Sequence, residues 1–245
     1  MLKYEGLFWR EEVFKYVSIG GVLYIILTIV AMFFYPGGTV TDKTTQGYSF
    51  FRNFFSELGR LHTNSGAPNF ISAALFFPAQ ILAGLSVIGF SLAFPQFFGH
   101  ARGGRISCIV GSILGILAGI CFVGVAFTPS DLLFRVHVYF VQWGFRVFSA
   151  AALFYAIAIF RHGTYLKRYA WIFLGFGILV IGYILLLMYG PSPRATVQGT
   201  IIQATGQKII VYASLACIII QAQGARARNK RSSPAQEIGM QKLSS

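Results

Sequence analysis

The sequence predicts an all-α fold, a polytopic membrane protein in which six transmembrane helices form a bundle. Of its 245 residues, 56% are hydrophobic and 11% are charged, whereas soluble domains carry about 25% charged residues. Apolar runs of about 20 residues, the length that a bilayer requires, recur along the chain. The longest hydrophilic interval in the body of the chain lies between the first and second runs, where we expect an ordered outer loop.

The predicted spans cover about residues 16–35, 69–94, 106–127, 135–160, 169–189 and 198–221. The first span ends at Pro36. The second contains Pro78, which removes a backbone hydrogen bond and favours a kink. The third carries Gly111, Gly115 and Gly119 at four-residue spacing, a pattern that lets two helix backbones approach closely in lipid.

Shorter connections separate the remaining spans. A turn at residues 128–134 precedes the fourth span, and a basic turn with Lys167 and Arg168 follows it. Residues 190–193, which include two prolines, end the fifth span. Residues 1–225 therefore form one transmembrane domain, and we expect the basic segment 226–245 to be a disordered cytoplasmic tail.

The basic residues predict the orientation of the bundle. Thirteen of the 20 Lys and Arg residues lie in the terminal segments and in the second and fourth connections, and five lie in the other three connections or beside them. Cytoplasmic loops carry such an excess of Lys and Arg. We expect a multi-pass protein of the cell membrane with both termini in the cytoplasm.

Charge and cysteine content exclude several classes of function. The net charge of +13 is explained by cytoplasmic loops, so no nucleic-acid partner is expected. Cys108, Cys121 and Cys217 all lie in apolar runs and form no C-x-x-C pair, so they indicate small core residues. No phosphate-binding glycine loop is present, and we expect no cofactor.

Polar groups are scarce in this chain, and residues 52–70 concentrate them. This segment contains Asn53, Ser56, Glu57 and Asn69. Aromatic side chains could bury one side of it: Phe50, Phe51, Phe54 and Phe55. We interpret it as a partly embedded loop that caps the bundle and carries the site; the alternative is an ordinary external loop with an aromatic interfacial anchor.

Two cations fall inside predicted spans, where charged residues usually mark a site or pathway. Arg146 lies in the fourth span and Lys208 in the sixth, and neither span offers an acid. Helical spacing places polar side chains on one face of each span: Tyr139, Gln142, Arg146 and Ser149 in the fourth, and Thr200, Gln203 and Gln207 in the sixth. A polar seam between these two helices would open toward Glu57, Asp131 and His137.

Three interpretations of the seam remain open. The cations could receive an anionic group, such as a lipid phosphate or a carboxylate. They could instead pair with Glu57 or Asp131 and fix the helix register, or they could extend to an interface if the span boundaries differ. The binding interpretation names eleven candidate residues: Asn53, Ser56, Glu57, Asn69, Asp131, His137, Gln142, Arg146, Gln203, Gln207 and Lys208.

The alternative function is a membrane-embedded hydrolase or transferase in which Glu57, Asp131 and His137 supply acid–base groups. A catalytic zinc would need about three His or Asp ligands converging from several helices. The outer side offers His62 and His137 with Asp131 and Glu57, while His100 and His162 fall in cytoplasmic turns. We therefore expect no metal site.

Several short motifs resemble those of the domain of unknown function 998 family. Residues 53–59 look like its N-x-x-S-[DE]-L-G loop, and Pro129 and Asp131 followed by His137 resemble its P-x-D…H feature. Gly206 and Lys208 resemble a G-x-x-[QE]-[RK] element, with the glycine two positions too close. A weaker resemblance extends to six-helix proteins of the DRAM/SFK type.

The resemblance covers the chain from the first span to residue 221. It implies an integral membrane protein with six helices and no established activity. The most direct expectation is a protein that binds or moves a lipid-like or small anionic ligand through an outward-facing polar pocket. Its expected partners are membrane lipid and that ligand.

Overall fold

A computed structural model describes residues 8–99 and 102–243, without the side chains of residues 10, 102, 103 and 230–243. Its long helices are α1 (Val13–Phe33), α2 (Phe70–Ala93), α3 (Arg102–Ala126), α4 (Phe134–Arg161), α5 (Lys167–Tyr189) and α6 (Val197–Leu243). Among the described residues no strand is present. The six-helix all-α prediction is confirmed, since six helices are long and apolar enough to cross a membrane.

Each helix packs against its neighbours in the chain, and α6 closes the ring against α1. The backbones of α2 and α3 approach most closely at Gly84 and Gly119, where a Cβ atom on either residue would lie 2.7 Å from the other's carbonyl oxygen. Gly111 instead faces the ring of Tyr155 on α4, and Gly115 faces Ser91 on α2. The glycine spacing in the third span is therefore used for helix packing.

Two helices extend beyond the predicted spans. Helix α2 continues through a 3₁₀ turn, Phe94–Phe98, so the second span reaches Phe98. The sixth span reaches Asn229, and the backbone of α6 stays helical to Leu243, where the sequence predicts a disordered tail. Residues 221–228 are mostly alanine, arginine and glutamine, which are strong helix formers, and this composition favours the continuation of the span toward Asn229. His100 lies outside the described residues.

The first loop, residues 34–69, connects α1 to α2 and packs on one end of the bundle. It contains a short 3₁₀ helix, Phe55–Gly59. Of the four aromatic side chains expected to be buried, only Phe55 is fully buried, and Phe50 and Phe51 are 41% and 57% exposed. Asn53, Glu57 and Leu58 share the buried face with Phe55. The contact between the first loop and the bundle, expected to be mainly aromatic, therefore also includes hydrogen bonds.

Candidate functional site

Asn53 organises the first loop from a position with no solvent exposure. Its side-chain amide donates to the carbonyl oxygen of Gly38 at 2.8 Å and to the carboxylate of Glu57. Its side-chain oxygen accepts the backbone N–H of Ser49 at 2.8 Å. Asn53 therefore joins three parts of the first loop by hydrogen bonds. These bonds also give its buried amide the partners that buried polar groups require.

Glu57 is 3% exposed, and its two oxygens accept from Asn53 and, at 3.1 Å, from Asn64. Burial raises the pKa of Glu57 to about 6, against the opposing effects of these hydrogen bonds and of the nearby cations Arg60 and Lys208. Desolvation disfavours the charged carboxylate, and nearby positive charge favours it. Glu57 is thus a carboxyl group that can change its charge near neutral pH.

Lys208 of α6 attaches the bundle to the first loop. It is 2% exposed, and its ammonium group donates to the backbone oxygen of Asn53. Three aromatic rings surround the ammonium at 5.2–5.8 Å, within the range of cation–π contacts: those of Tyr48, Phe50 and Phe55. The predicted link between Lys208 and Glu57 therefore passes through Asn53, which contacts both, instead of through a direct ion pair.

Asp131 holds the α3–α4 turn against the first loop. Its carboxylate accepts the backbone N–H of Leu61 at 3.1–3.2 Å and that of His62 at 2.9 Å. The imidazole of His62 lies 3.8 Å away. Asp131 and Glu57 thus both accept hydrogen bonds from the first loop.

A cavity of about 700 Å³, here called the main cavity, lies beneath the first loop. Its lining comes from the first loop, the α3–α4 and α5–α6 connections, and helices α4, α5 and α6. Three cations line it: Lys43, Arg60 and Arg194. None of the three has a described carboxylate within ion-pair distance, although Arg60 is near enough to Glu57 to lower its pKa. The three cations outnumber the two acids of the lining, Glu57 and Asp131, so the lining carries a net positive charge.

His137 stands in the wall of the main cavity and is 4% exposed. Its Nδ1 lies 2.7 Å from the backbone oxygen of Thr128. Because a carbonyl oxygen can only accept, Nδ1 carries the hydrogen and the neutral ring presents its lone pair at Nε2. That Nε2 atom is buried and has no hydrogen-bond partner among the described residues.

Two other cavities adjoin the main cavity. One of about 430 Å³, the side cavity, is lined by α2, the end of α3 and His137, with no charged residue among its lining residues. The other, the central cavity, measures about 70 Å³ and lies between the helices at the bundle centre. Ser56 lines all three cavities.

The main cavity brings together six of the eleven candidate residues: Ser56, Glu57, Asp131, His137, Gln142 and Gln207. Asn53 and Lys208 do not line the main cavity but hold the first loop in place through the hydrogen bonds described above. Asn69 donates to the backbone oxygens of Leu58 and Arg60, and Gln203 donates to those of Leu186 and Pro191. These two amides fix connections between elements and do not line the cavity.

Arg146 departs most from the predicted seam. Its guanidinium donates to Gln142 at 3.2 Å and lies 5.6 Å from the ring centre of Trp143, which is 44% exposed. Tyr139, on the same predicted face, is 59% exposed. This face of α4 turns partly toward the lipid, so only Gln142 reaches the main cavity, and no described acid pairs with Arg146.

Several residues that line the main cavity were not among the candidates predicted from the sequence: Lys43, Arg60, Asn64, Ser130, Tyr183 and Arg194. One signal for the cations was present in the sequence. Lys43, Arg60 and Arg194 are among the few basic residues on the expected outer side. Arg194 also stacks on the ring of Phe134, 4.9 Å away, and thereby joins the α5–α6 connection to the start of α4.

The acid–base groups do not form a catalytic chain. No hydrogen bond joins Glu57, Asp131 and His137 to one another in the part of the chain that the structure describes, although all three line the main cavity. The described residues also contain no group of three His, Cys, Asp or Glu side chains placed to hold a metal ion.

The residues that carry the family resemblance have structural roles around the main cavity. Asn53 and Glu57 are joined as described above. Gly59 packs against the ring of Phe76, and a Cβ atom added at Gly59 would lie 2.5 Å from Cδ1 of that ring. Pro129 and Asp131 form the turn that leads to His137. Comparisons with protein-family models, curated proteins and solved structures found no match to this chain.

Proposed function

We propose that this is a multi-pass protein of the cell membrane that binds or moves a lipid-like or small anionic ligand through the main cavity. The observation that carries the proposal is a cavity in which three cations without ion-pair partners among the described residues share the lining with apolar side chains such as Val138 and Leu187, beside Glu57, Asp131 and several uncharged polar groups. An anionic group would contact Lys43, Arg60 and Arg194, and apolar side chains of α4 and α5 would contact the rest of the ligand. The volume of about 700 Å³ lies in the range of ligand sites, about 300–1,000 Å³.

In this proposal the main cavity lies on the outer side of the membrane, an orientation that the distribution of basic residues supports. The first loop and the α3–α4 and α5–α6 connections carry few basic residues, and they all contribute to the cavity. A ligand would thus enter from the outer leaflet or from the outer aqueous phase. The resemblance to the domain of unknown function 998 family agrees with such a membrane protein and adds no activity.

Binding of dodecyl phosphate to the purified protein in neutral detergent tests the proposal. We expect saturable binding that Arg194→Gln and Lys43→Gln each weaken about tenfold, because a hydrogen bond to a charged group contributes roughly 1.5–3 kcal/mol. Lys15→Gln is the matched control, since Lys15 pairs with Glu12 outside the cavity lining. Equal affinity in all four proteins would contradict an anion site in the main cavity.

The second candidate is a hydrolase or transferase that uses Glu57, Asp131 and His137. One observation favours it: the main cavity contains a carboxyl group with a pKa near neutrality and an imidazole with a free Nε2. Release of phosphate or of fatty acid from bound lipid, abolished by Glu57→Gln, would decide for the enzyme.

The third candidate is that the buried charges have a purely structural role. The hydrogen bonds of Asp131 and Lys208 favour this role for those two residues.

A further inference from the structure

The main and side cavities share one stretch of wall. Ser56 and His137 line both of them, and the remaining lining differs sharply in chemistry. The main cavity contains three cations and two acids, whereas the side cavity is lined by aliphatic and aromatic residues, glycine, Ser56 and His137. Polar and apolar ligand groups therefore have separate places on the two sides of His137.

The side cavity lies next to the lipid-facing surface of the bundle. Phe70 and Phe77 of α2 line it, and they are 63% and 40% exposed. Its volume of about 430 Å³ is large enough for a ligand group, whereas the central cavity of about 70 Å³ is far below the range of ligand sites, about 300–1,000 Å³. The structure thus provides space for one hydrocarbon chain beside the main cavity.

His137 offers an acceptor at the boundary between these two spaces. Its Nδ1–H bond to Thr128 fixes the tautomer, and Nε2 is left buried without a partner. A buried acceptor without a hydrogen bond is unfavourable, because it has lost its contacts with water and gained no donor in return. A ligand group that donates to Nε2 would remove this penalty, whereas a second acceptor there would repel the lone pair.

We propose that the ligand is a single-chain anionic lipid with a hydrogen-bond donor, such as a hydroxyl group, between its head group and its chain. The head group contacts the cations of the main cavity, the chain lies in the side cavity, and the donor binds Nε2 of His137. Because Nε2 is covered in the closed wall, the ligand separates His137 from its neighbours as it enters. This inference rests on the proposed function and specifies its ligand class.

A pair of lipids that differ in one hydroxyl group tests the proposal. The probes are 1-oleoyl-lysophosphatidic acid and its 2-deoxy analogue, 3-oleoyloxypropyl phosphate, each bound to the full-length protein in neutral detergent. We expect the hydroxyl lipid to bind about tenfold more tightly, the effect of one hydrogen bond to a buried acceptor. Equal affinities would overturn the hydroxyl contact and leave the anion site intact, whereas binding of neither lipid would contradict the proposed function itself.

Two variants of His137 assign the contact to its Nε2 atom. In His137→Asn the amide can still donate to Thr128, but no atom reaches the position of Nε2, so the preference for the hydroxyl lipid should disappear. In His137→Gln the side-chain oxygen can occupy that position and should retain part of the preference. A full preference in His137→Asn would show that the acceptor is another residue and would overturn the assignment.

A variant outside this wall tests the chain position if the histidine variants fold poorly. Ala74 lines the side cavity from the exposed side of α2, where lipid can accommodate a larger residue. Ala74→Phe should fill the side cavity and weaken binding of the oleoyl lipid about tenfold, while leaving the affinity for glycerol 3-phosphate unchanged. Unchanged affinity for the oleoyl lipid would show that its chain lies elsewhere.

Discussion

Glu57 gives the first loop a pH-dependent stability. Its pKa in the folded protein is about 6, above the ordinary value of 4.5, so the folded state binds this proton more tightly than the unfolded state does. The contribution is fully present below about pH 4.5 and is lost as the pH rises through about 6. A shift of this size corresponds to about 2 kcal/mol.

We therefore expect the thermal stability of the purified protein to fall between about pH 4.5 and 6.5, and we expect Glu57→Gln to remove most of this fall. Glu12→Gln is the control, because Glu12 lies near the other end of α1 and pairs with Lys15. Asp42, whose pKa is lowered by its hydrogen bonds to Thr44, acts at more acidic pH. An identical pH profile in the Glu57→Gln variant would show that another group titrates.

Lys208 should shift that profile without being part of the titration. Its positive charge lowers the pKa of Glu57, so Lys208→Met should raise the midpoint of the stability change above about pH 6. Arg146→Met is the matched control, because Arg146 is also a cation within a span but does not affect Glu57. The measurement is the same pH series, and an unchanged midpoint in Lys208→Met would contradict electrostatic coupling between Lys208 and Glu57.

Packing between helices depends on a few glycines. A Cβ atom at position 119 would lie 2.7 Å from the backbone oxygen of Gly84, which cannot move aside as a side chain can. Gly119→Ala should therefore destabilise the protein by about 1–3 kcal/mol, the usual effect of overpacking. Thermal unfolding in detergent measures it.

The control for this prediction is a glycine on α5. A Cβ atom at Gly182 would contact nothing within 4 Å, so Gly182→Ala should leave the stability unchanged or raise it by about 0.5–1 kcal/mol, because glycine weakens a helix relative to alanine. Equal destabilisation by the two substitutions would mean that α2 and α3 do not meet at this crossing.

The helices were predictable from sequence because each apolar run is long enough to form a span by itself. What each helix face contacts was less predictable. Spacing correctly placed Arg146 beside Gln142, one turn away, and Arg146 donates a hydrogen bond to Gln142. Spacing could not show that this face turns partly toward the lipid, because a membrane helix can be apolar on every side. Likewise, Lys43 and Arg194 meet at one cavity only through the fold, since they lie far apart in the chain.

At the scale of the whole molecule, the predicted orientation can be measured directly. Thr44→Cys and Ser233→Cys are labelled on intact cells with a thiol reagent that does not cross membranes. We expect labelling at position 44 alone, because the basic segments around position 233 favour the cytoplasm. Permeabilised cells provide the control for reactivity at position 233. Labelling at position 233 alone on intact cells would reverse the orientation and place the main cavity on the cytoplasmic side.

The first loop can reach its final contacts only after α6, the last helix, has been synthesised. Gln207 accepts the backbone N–H of Phe55 at 2.8 Å, and Lys208 donates to Asn53 about 155 positions earlier in the chain. When only the first five helices have been synthesised, the first loop is complete, but its partners Gln207 and Lys208 are not yet present. Until α6 enters the membrane, Glu57 lacks the nearby charge of Lys208, and the first loop lacks these two hydrogen bonds to α6.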